Sequence, residues 1–235
     1  MEALHKEKFS IPSFLIDPNR QLTTQGLLQL FQDISYAHVR AGGFDDATMQ
    51  DLGSFWVLNR LRLHINALPK WCDNVTVQTW VSRSTPPFFI RNYQLINDLG
   101  EELAHACSLW ILIDANTRKP IRNFDTQNFP YLPDQHAACG LPEKLKLPNN
   151  PAKFSSEYFV RHSDLDIASH LNNTKYIALA LDTLPEATFY PNLEINYNQE
   201  VVLNDTLTIQ AIEHAEQLFF KIEKNGAVVC SLKLY

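Results

Sequence analysis

The chain has 235 residues, of which 45% are hydrophobic and 20% are charged, a composition typical of a globular protein that can bury a core. Its formal net charge of -6 argues against a general nucleic-acid binder, because neutralising phosphates requires a basic surface. The apolar runs are too short to span a bilayer and the N-terminus has no apolar signal segment, so we expect a cytoplasmic location.

The four cysteines lie far apart in the sequence and form no CxxC pair, so their spacing indicates neither a zinc site nor a redox pair. We interpret Cys72, Cys107, Cys139 and Cys230 as structural thiols. The sequence also has no GxSxG turn, no phosphate-binding loop and no paired histidines, so no metal is expected.

The first half of the chain predicts one helix among a series of strands. A strand is expected at 8–16, and the apolar residues of 24–41 recur at helical spacing until Gly42 and Gly43 end the run. His38 falls on the apolar stripe of that helix, which favours a pocket or core position over a role as a ligand. Strand-like alternation then predicts four more strands, at 54–66, 73–82, 87–97 and 102–114.

Residues 116–153 have a different character. Six of the 13 prolines of the chain fall in this stretch, so we predict an ordered linker without a regular element. The linker also contains the best local basic cluster, Thr117–Arg122 with Lys144 and Lys146. This cluster is either solvated linker or a contact for an acidic partner.

The second half of the chain repeats the order of the first. A strand is predicted at 155–163, a helix at 173–184, and four strands near 192–200, 204–213, 217–224 and 227–234. Individual residues also align, since Asp17–Leu22 matches Asp166–Leu171 and Leu61–Val77 matches Leu193–Ile209. Two copies of one strand–helix–four-strand unit predict an α+β fold in which each helix packs across a curved antiparallel sheet.

The titratable and polar residues that could take part in a reaction are clustered at the start of the second helix. Asp166, His170, Asn172 and Asn173 crowd this position, and helix capping explains the two asparagines well. Asp166 and His170 differ, because two titratable groups beside exposed backbone N–H groups can bind an oxyanion and move a proton. Glu200 ends the predicted strand at 192–200. It is either a general base or a charge that faces solvent at a sheet edge.

The segment Asp164–Tyr176 resembles the motif DxDxxxHVNNxxY of the acyl-acyl carrier protein (acyl-ACP) thioesterase family. Leu193–Glu200 resembles the family segment that ends in a catalytic glutamate. The first repeat matches the family at six further sites, so the resemblance covers nearly the whole chain. These sites are Asp17–Arg20, Trp56–Arg60, Pro69–Trp71, Thr79–Val81, Ser108–Trp110 and Thr117–Arg118.

The resemblance implies a tandem, or double, hot-dog fold, in which each repeat is a curved antiparallel sheet wrapped around one long helix. It implies an N-terminal hot-dog repeat with the acyl-chain pocket at 1–115, the linker at 116–153, and a catalytic hot-dog repeat at 154–235. Because two fused repeats can pair as two subunits would, we expect a monomer or a homodimer.

The activity implied by the resemblance is hydrolysis of fatty acyl-ACP to free fatty acid and ACP in fatty acid biosynthesis. No metal or organic cofactor is expected. The expected partners are ACP and a fatty acyl thioester. Binding to a nucleic acid or to a membrane is not expected. The alternatives are an acyl-CoA thioesterase of the same fold and a non-catalytic acyl-binding protein.

The resemblance also implies that Asp166, His170 and Glu200 form the catalytic site. In this scheme Asp166 holds the imidazole of His170, which orients the thioester or a water, and Glu200 acts as general base or as nucleophile. The repeat agrees with this assignment, because the first copy has Gln21 in place of the histidine and Leu68 in place of the glutamate.

Ala168 departs from the family pattern, which usually has an asparagine two residues after the catalytic aspartate. Because alanine has no side-chain donor, catalysis is expected to be weaker unless Ser169 or Asn172 substitutes. These two residues and Asn173 are the predicted substrate-positioning groups. The backbone N–H groups at the start of the second helix are the expected oxyanion site.

Overall fold

The computed structural model describes residues 2–85, 87–124, 131–132, 135–186 and 188–235, except the side chains of 83–85. The chain forms two compact units, residues 1–142 and residues 143–235, so the stretch interpreted as a linker is divided between them. Two of the linker prolines, Pro130 and Pro133, lie outside the described residues. In the rest of 115–153 the chain forms no helix or strand. None of the described helices is long and apolar enough to cross a membrane.

The first unit contains a five-stranded antiparallel sheet whose strand order is β1-β3-β4-β5-β2. The strands are β1 (Leu4–Ser10), β2 (Ser54–Ile65), β3 (Asn74–Thr85), β4 (Phe88–Asn97) and β5 (Glu102–Asp114). The predicted first strand therefore lies earlier in the chain than expected. It ends before Pro12, which has no N–H for a sheet ladder, and a 3₁₀ turn follows at Ser13–Leu15.

Helix α1 (Thr24–Ala41) has the predicted bounds and packs against the sheet of the first unit. It begins at the Thr23 side chain, which accepts a hydrogen bond from the Gly26 N–H. Gly26 is required here, because a Cβ atom at this position would lie 2.7 Å from the Leu15 carbonyl oxygen. A second helix, α2 (Asp46–Asp51), was not predicted and is only 6 residues long.

The second unit repeats the arrangement, with the strand order β7-β10-β9-β8-β6 in an antiparallel sheet. The strands are β6 (Phe154–Phe159), β7 (Asn192–Tyr197), β8 (Thr206–His214), β9 (Gln217–Lys224) and β10 (Ala227–Leu234). Helix α3 (Lys175–Leu181) packs against β8 and β10. Each unit is thus an antiparallel sheet with a helix against it, and the predicted α+β class is confirmed.

Two elements of the second unit are shorter than predicted. Helix α3 has 7 residues instead of the expected span 173–184. At its C-terminal end the Thr183 hydroxyl bonds the Leu179 carbonyl at 3.0 Å, and Pro185 disfavours helix in the residue before it. Strand β7 ends at Tyr197, so Glu200 lies in the loop between β7 and β8 and not on a strand.

Candidate active site

A tight turn at Asp166–His170 presents the predicted histidine. The Asp166 N–H donates to the His170 carbonyl at 2.8 Å, and the Ser169 N–H donates to the Asp166 carbonyl at 3.0 Å. The Asp166 carboxylate accepts the N–H groups of Ala168 at 2.9 Å and His170 at 3.2 Å. Ser169 has a φ of 63°, in the left-handed region that closes such a turn. The Asp166 carboxylate therefore holds the turn and not the imidazole, contrary to the prediction.

The first unit contains the same turn without the histidine. The Asp17 carboxylate accepts the Gln21 N–H at 2.8 Å, and Arg20 has a φ of 64°. Asp17 is therefore a turn residue. Since the turn forms equally well in a repeat that lacks His170, its geometry belongs to the fold. Only the side chain at the last position differs in chemistry.

The β7–β8 loop brings Glu200 to the histidine. The Leu171 N–H donates to the Val201 carbonyl at 2.8 Å, and His170 forms an isolated antiparallel bridge with Val202. The His170 Nε2 and Glu200 Oε2 atoms are 3.6 Å apart, and about a third of each side chain is exposed. An imidazole and a carboxylate are thus paired at a position that solvent and a substrate can reach.

Lys224 and Asp205 hold the Glu200 loop in place and were not predicted from the sequence. The Lys224 Nζ donates to the Glu200 carbonyl at 3.1 Å and to the Asp205 carboxylate at 2.9 Å. That carboxylate also accepts the Val202 N–H at 2.8 Å. Burial alone would raise the pKa of Asp205, but these hydrogen bonds and the nearby ammonium group hold the pKa below its ordinary value. The repeat could have pointed to Asp205, because the residue aligned with it in the first unit, Asp73, accepts the Lys70 N–H in the same way.

Asp164 anchors the other side of the site. Sequence analysis identified it only as the first residue of the family motif and not as a functional residue of its own. Its buried carboxylate accepts the Tyr158 hydroxyl at 2.8 Å and the Arg161 N–H at 2.9 Å, and the Lys175 Nζ is 3.4 Å away. Burial acts to raise the pKa of Asp164, but these donors hold it below its ordinary value. The Asp164 carbonyl accepts the Asn172 N–H at 2.9 Å, which ties the turn to the start of α3.

The predicted substrate-positioning residues have different environments. The Asn172 Oδ1 accepts the Thr174 N–H and hydroxyl, both at 2.9 Å, so Asn172 fixes the residue before α3 but is not the N-cap of the helix, which is Thr174. That bond also occupies one of the N–H groups expected to bind an oxyanion. The Asn173 carbonyl accepts the Tyr197 hydroxyl at 3.1 Å, whereas its own N–H and side-chain amide bond no other described residue. Ser169 is exposed on the turn.

A mostly apolar pocket lies in the first unit, between the two helices of that unit and strands β2–β5. It encloses about 640 Å³, including its open mouth. Trp56 and Trp110 lie on its wall, whereas Trp80 is buried in the core. The other lining residues are Gln32, Ser35, Tyr36, Val39, Asp46, Val81, Phe89 and Arg91.

His38 and Arg91 form a buried polar pair beside this pocket. The Arg91 Nη1 donates to the His38 Nδ1 at 3.1 Å, and the His38 Nε2 donates to the Glu2 carbonyl at 2.9 Å. Since the carbonyl can only accept, the imidazole carries its proton on Nε2. Burial, and then the positive charge of Arg91, lower the pKa of His38 to about 4. The position of His38 is therefore the pocket or core position that the sequence predicted.

Two antiparallel sheets, each with a helix, define a tandem hot-dog protein, and its second unit carries the partly exposed His170–Glu200 pair. The structure of an acyl-ACP thioesterase from Bacteroides thetaiotaomicron is similar with a TM-score of 0.90 and 28% identity, covering 99% of this chain and 97% of that one. The 12:0-ACP thioesterase from Umbellularia californica has the same fold, with a TM-score of 0.88, 20% identity, and coverage of 100% and 97%.

The acyl-ACP thioesterase N-terminal domain matches residues 2–126, and the C-terminal domain of the same family matches residues 149–234. The chain therefore belongs to the acyl-ACP thioesterase family. The chloroplastic oleoyl-acyl carrier protein thioesterase 2 of Arabidopsis thaliana is 30% identical over 202 residues, or 77% of this chain. This chain spans about half the length of the curated relatives that it matches, for example 54% of that protein.

Proposed function

We propose that this protein hydrolyses fatty acyl-ACP to free fatty acid and ACP in fatty acid biosynthesis. The observation that carries the proposal is the pairing of His170 with Glu200 at 3.6 Å across two loops of the second unit. At the equivalent positions of the first unit, the Gln21 amide donates to the Leu68 carbonyl, so that site offers neither a base nor an imidazole. Membership of the acyl-ACP thioesterase family supports the substrate class.

In the proposed reaction Glu200 is the general base. Its carboxylate takes a proton from water while the water oxygen bonds to the thioester carbonyl carbon. The C–S bond then breaks, the electron pair leaves with the sulfur, and the proton passes to the thiolate of the carrier protein. His170, beside the carboxylate, orients the water and the carbonyl group.

The negative charge that develops on the carbonyl oxygen needs hydrogen-bond donors. The N–H of Asn173 suits this role, because it bonds no other residue in the described part of the chain and lies three residues from His170. Its side-chain amide is a second free donor. Asp166 contributes by fixing the turn that presents the histidine, and we assign it a positioning role.

We further propose that the pocket of the first unit holds the acyl chain. Its wall of tryptophan, phenylalanine and valine side chains suits a hydrocarbon. ACP is the proposed protein partner. The reaction as written needs no cofactor, and a cytoplasmic location remains a prediction from the sequence.

The experiment compares hydrolysis of one fatty acyl group carried on ACP and on CoA. We expect a higher kcat/KM with ACP, and a loss of about a hundredfold or more in kcat for His170→Ala and Glu200→Ala. Gln21→Ala and Leu68→Ala are the matched controls in the first unit, and they should affect binding or stability instead. Near wild-type turnover by folded Glu200→Ala would refute the assignment. Preference for CoA would identify an acyl-CoA thioesterase, and absence of turnover with either thioester would favour an acyl-binding protein.

A further inference from the structure

Two charged residues line the apolar pocket, the half-buried Asp46 and the buried Arg91, and the buried guanidinium is the one that needs an explanation. Arg91 lies on β4 and is only 5% exposed. Burial of a guanidinium group is costly unless its charge and its donors are matched, and burial lowers the pKa of Arg91. A cation at the wall of a hydrocarbon pocket therefore requires a partner.

The protein satisfies only part of this guanidinium. Nη1 donates to the His38 Nδ1 at 3.1 Å and to the Thr79 hydroxyl at 3.2 Å. A guanidinium has five N–H donors, two of them on each terminal nitrogen. In the described part of the chain, the Nε and Nη2 donors have no hydrogen-bond partner and no carboxylate pairs with Arg91. Arg91 lines the pocket, so its open donors are within reach of a group bound there.

An unsubstituted hydrocarbon would cover these donors without replacing the hydrogen bonds that water gives them. A site built to hydrogen-bond an oxygen discriminates strongly against an analogue that lacks it, because its own polar groups are then left unpaired. An oxygen on the chain would accept from Arg91 and remove this penalty. His38 cannot supply this oxygen's role as a further acceptor, because its one acceptor nitrogen, Nδ1, already accepts a hydrogen bond from the Arg91 Nη1.

We propose that this pocket selects acyl groups that carry an acceptor oxygen on the chain, as a hydroxyl or oxo group, and that Arg91 is the residue that binds this oxygen. The inference rests on the proposed function, because it treats the pocket as the acyl-chain site. It makes Arg91 a specificity-determining residue of the first unit, separate from the pair of groups that performs the hydrolysis.

The test compares acyl-ACPs in matched pairs of equal chain length, one saturated and one with a terminal hydroxyl group, over a series of lengths. At the length that brings the oxygen to Arg91, we expect kcat/KM for the hydroxyacyl substrate to exceed that of its saturated partner by at least about tenfold. Arg91→Met should abolish or reverse this preference. Arg60→Met is the control, because Arg60 stacks over the Phe88 ring and does not line the pocket.

The wild-type comparison alone decides the matter if Arg91→Met fails to fold. Saturated substrates that are hydrolysed at least as well as hydroxylated ones at every length would overturn the inference and leave the proposed function intact. If no acyl-ACP is hydrolysed, the proposed function fails. Calorimetric binding of the free hydroxy fatty acids and their saturated counterparts then tests the pocket, and equal or absent binding overturns the inference.

Discussion

Ala168 occupies an exposed position on the turn that presents His170. Neither predicted substitute is well placed to replace the missing asparagine, because Ser169 faces solvent and Asn172 is fixed by its bonds to Thr174. We therefore expect Ala168→Asn to raise the single-turnover rate of acyl-ACP hydrolysis, by up to about a hundredfold for one new transition-state donor. Ser169→Ala should change the rate little.

The opposite pattern would show that a neighbour already performs the role of the asparagine. It would consist of no gain from Ala168→Asn together with a loss of more than about tenfold from Ser169→Ala or Asn172→Ala. Because Asn172→Ala also removes the hydrogen bonds to Thr174 before α3, its melting temperature must be measured alongside its rate.

His38 makes the stability of the first unit depend on pH. Its pKa is lowered from 6.5 to about 4 in the folded chain. As the pH falls from about 6.5 to about 4, the unfolded chain binds a proton that the folded chain does not, so the free energy of unfolding decreases by up to about 1.4 kcal/mol per pH unit. This contribution is complete above pH 6.5.

Urea unfolding of the wild type and His38→Gln at pH 7 and pH 5 checks this expectation. Glutamine cannot titrate, so the variant should lose less stability between the two pH values than the wild type does. His5, which stacks on His38 with ring centroids 5.4 Å apart, is replaced in a second variant to separate its own titration. Equal losses in the wild type and His38→Gln would contradict the expectation.

Individual residues could be assigned from the sequence where the two repeats differ, and less well where they agree. His170 and Glu200 stood out because Gln21 and Leu68 replace them in the first copy. The partner of Asp166 was predicted wrongly, because a carboxylate four residues from a histidine can bond either its ring or its N–H. The same turn at Asp17 shows that the backbone bond is the one the fold requires.

At the scale of elements, the loop that carries Glu200 depends on β9. Lys224 at the end of that strand bonds the Glu200 carbonyl and the Asp205 carboxylate. Lys224→Met removes both bonds and should displace the Glu200 carboxylate from His170. Because this displacement impairs the chemical step more than substrate binding, we expect kcat to fall by about tenfold while KM changes little. Lys224→Arg should restore part of kcat.

Lys221→Met is the control, because Lys221 lies on the same strand and pairs with Glu223 at 3.0 Å, away from the loop. If Lys224→Met lowers kcat no more than this control does, the loop does not depend on the lysine. A purely structural role would instead lower the melting temperature of Lys224→Met and leave kcat and KM unchanged.

Hydrophobic periodicity predicted most elements because most of them bury one face. The bounds of α1 followed from its apolar stripe and the glycines behind it. Helix α3 and strand β7 were predicted too long. Hydrophobic periodicity does not show the hydrogen bond that the Thr183 hydroxyl donates, the bond that the Asn172 Oδ1 accepts, or the end of the strand at Tyr197. Helix α2 has only 6 residues, too few to give a pattern.

At the scale of the whole molecule, the proposed catalytic pair lies in one copy of a duplicated unit. Both units keep the same turn and the same strand order, so the fold needs the first unit to retain its backbone geometry. The imidazole and the carboxylate occur in the second unit, and the described pocket lies in the first. A chain with this division can change its substrate preference and its rate of chemistry by substitutions in different units.

This division predicts that pocket variants and catalytic variants have different signatures across a series of saturated acyl-ACPs of increasing length. Val39 lies on the pocket wall on α1, and Val39→Phe adds volume there, so kcat/KM for the longest substrates should fall by at least about tenfold while short substrates are spared. Glu200→Gln should instead lower kcat for every length by a similar factor, because all chains share one reacting group. Val57→Phe is the control, since Val57 follows Trp56 on β2 and alternation places it on the other face of the sheet. A uniform loss from Val39→Phe, or a loss from Glu200→Gln that depends on length, would show that one unit serves both tasks.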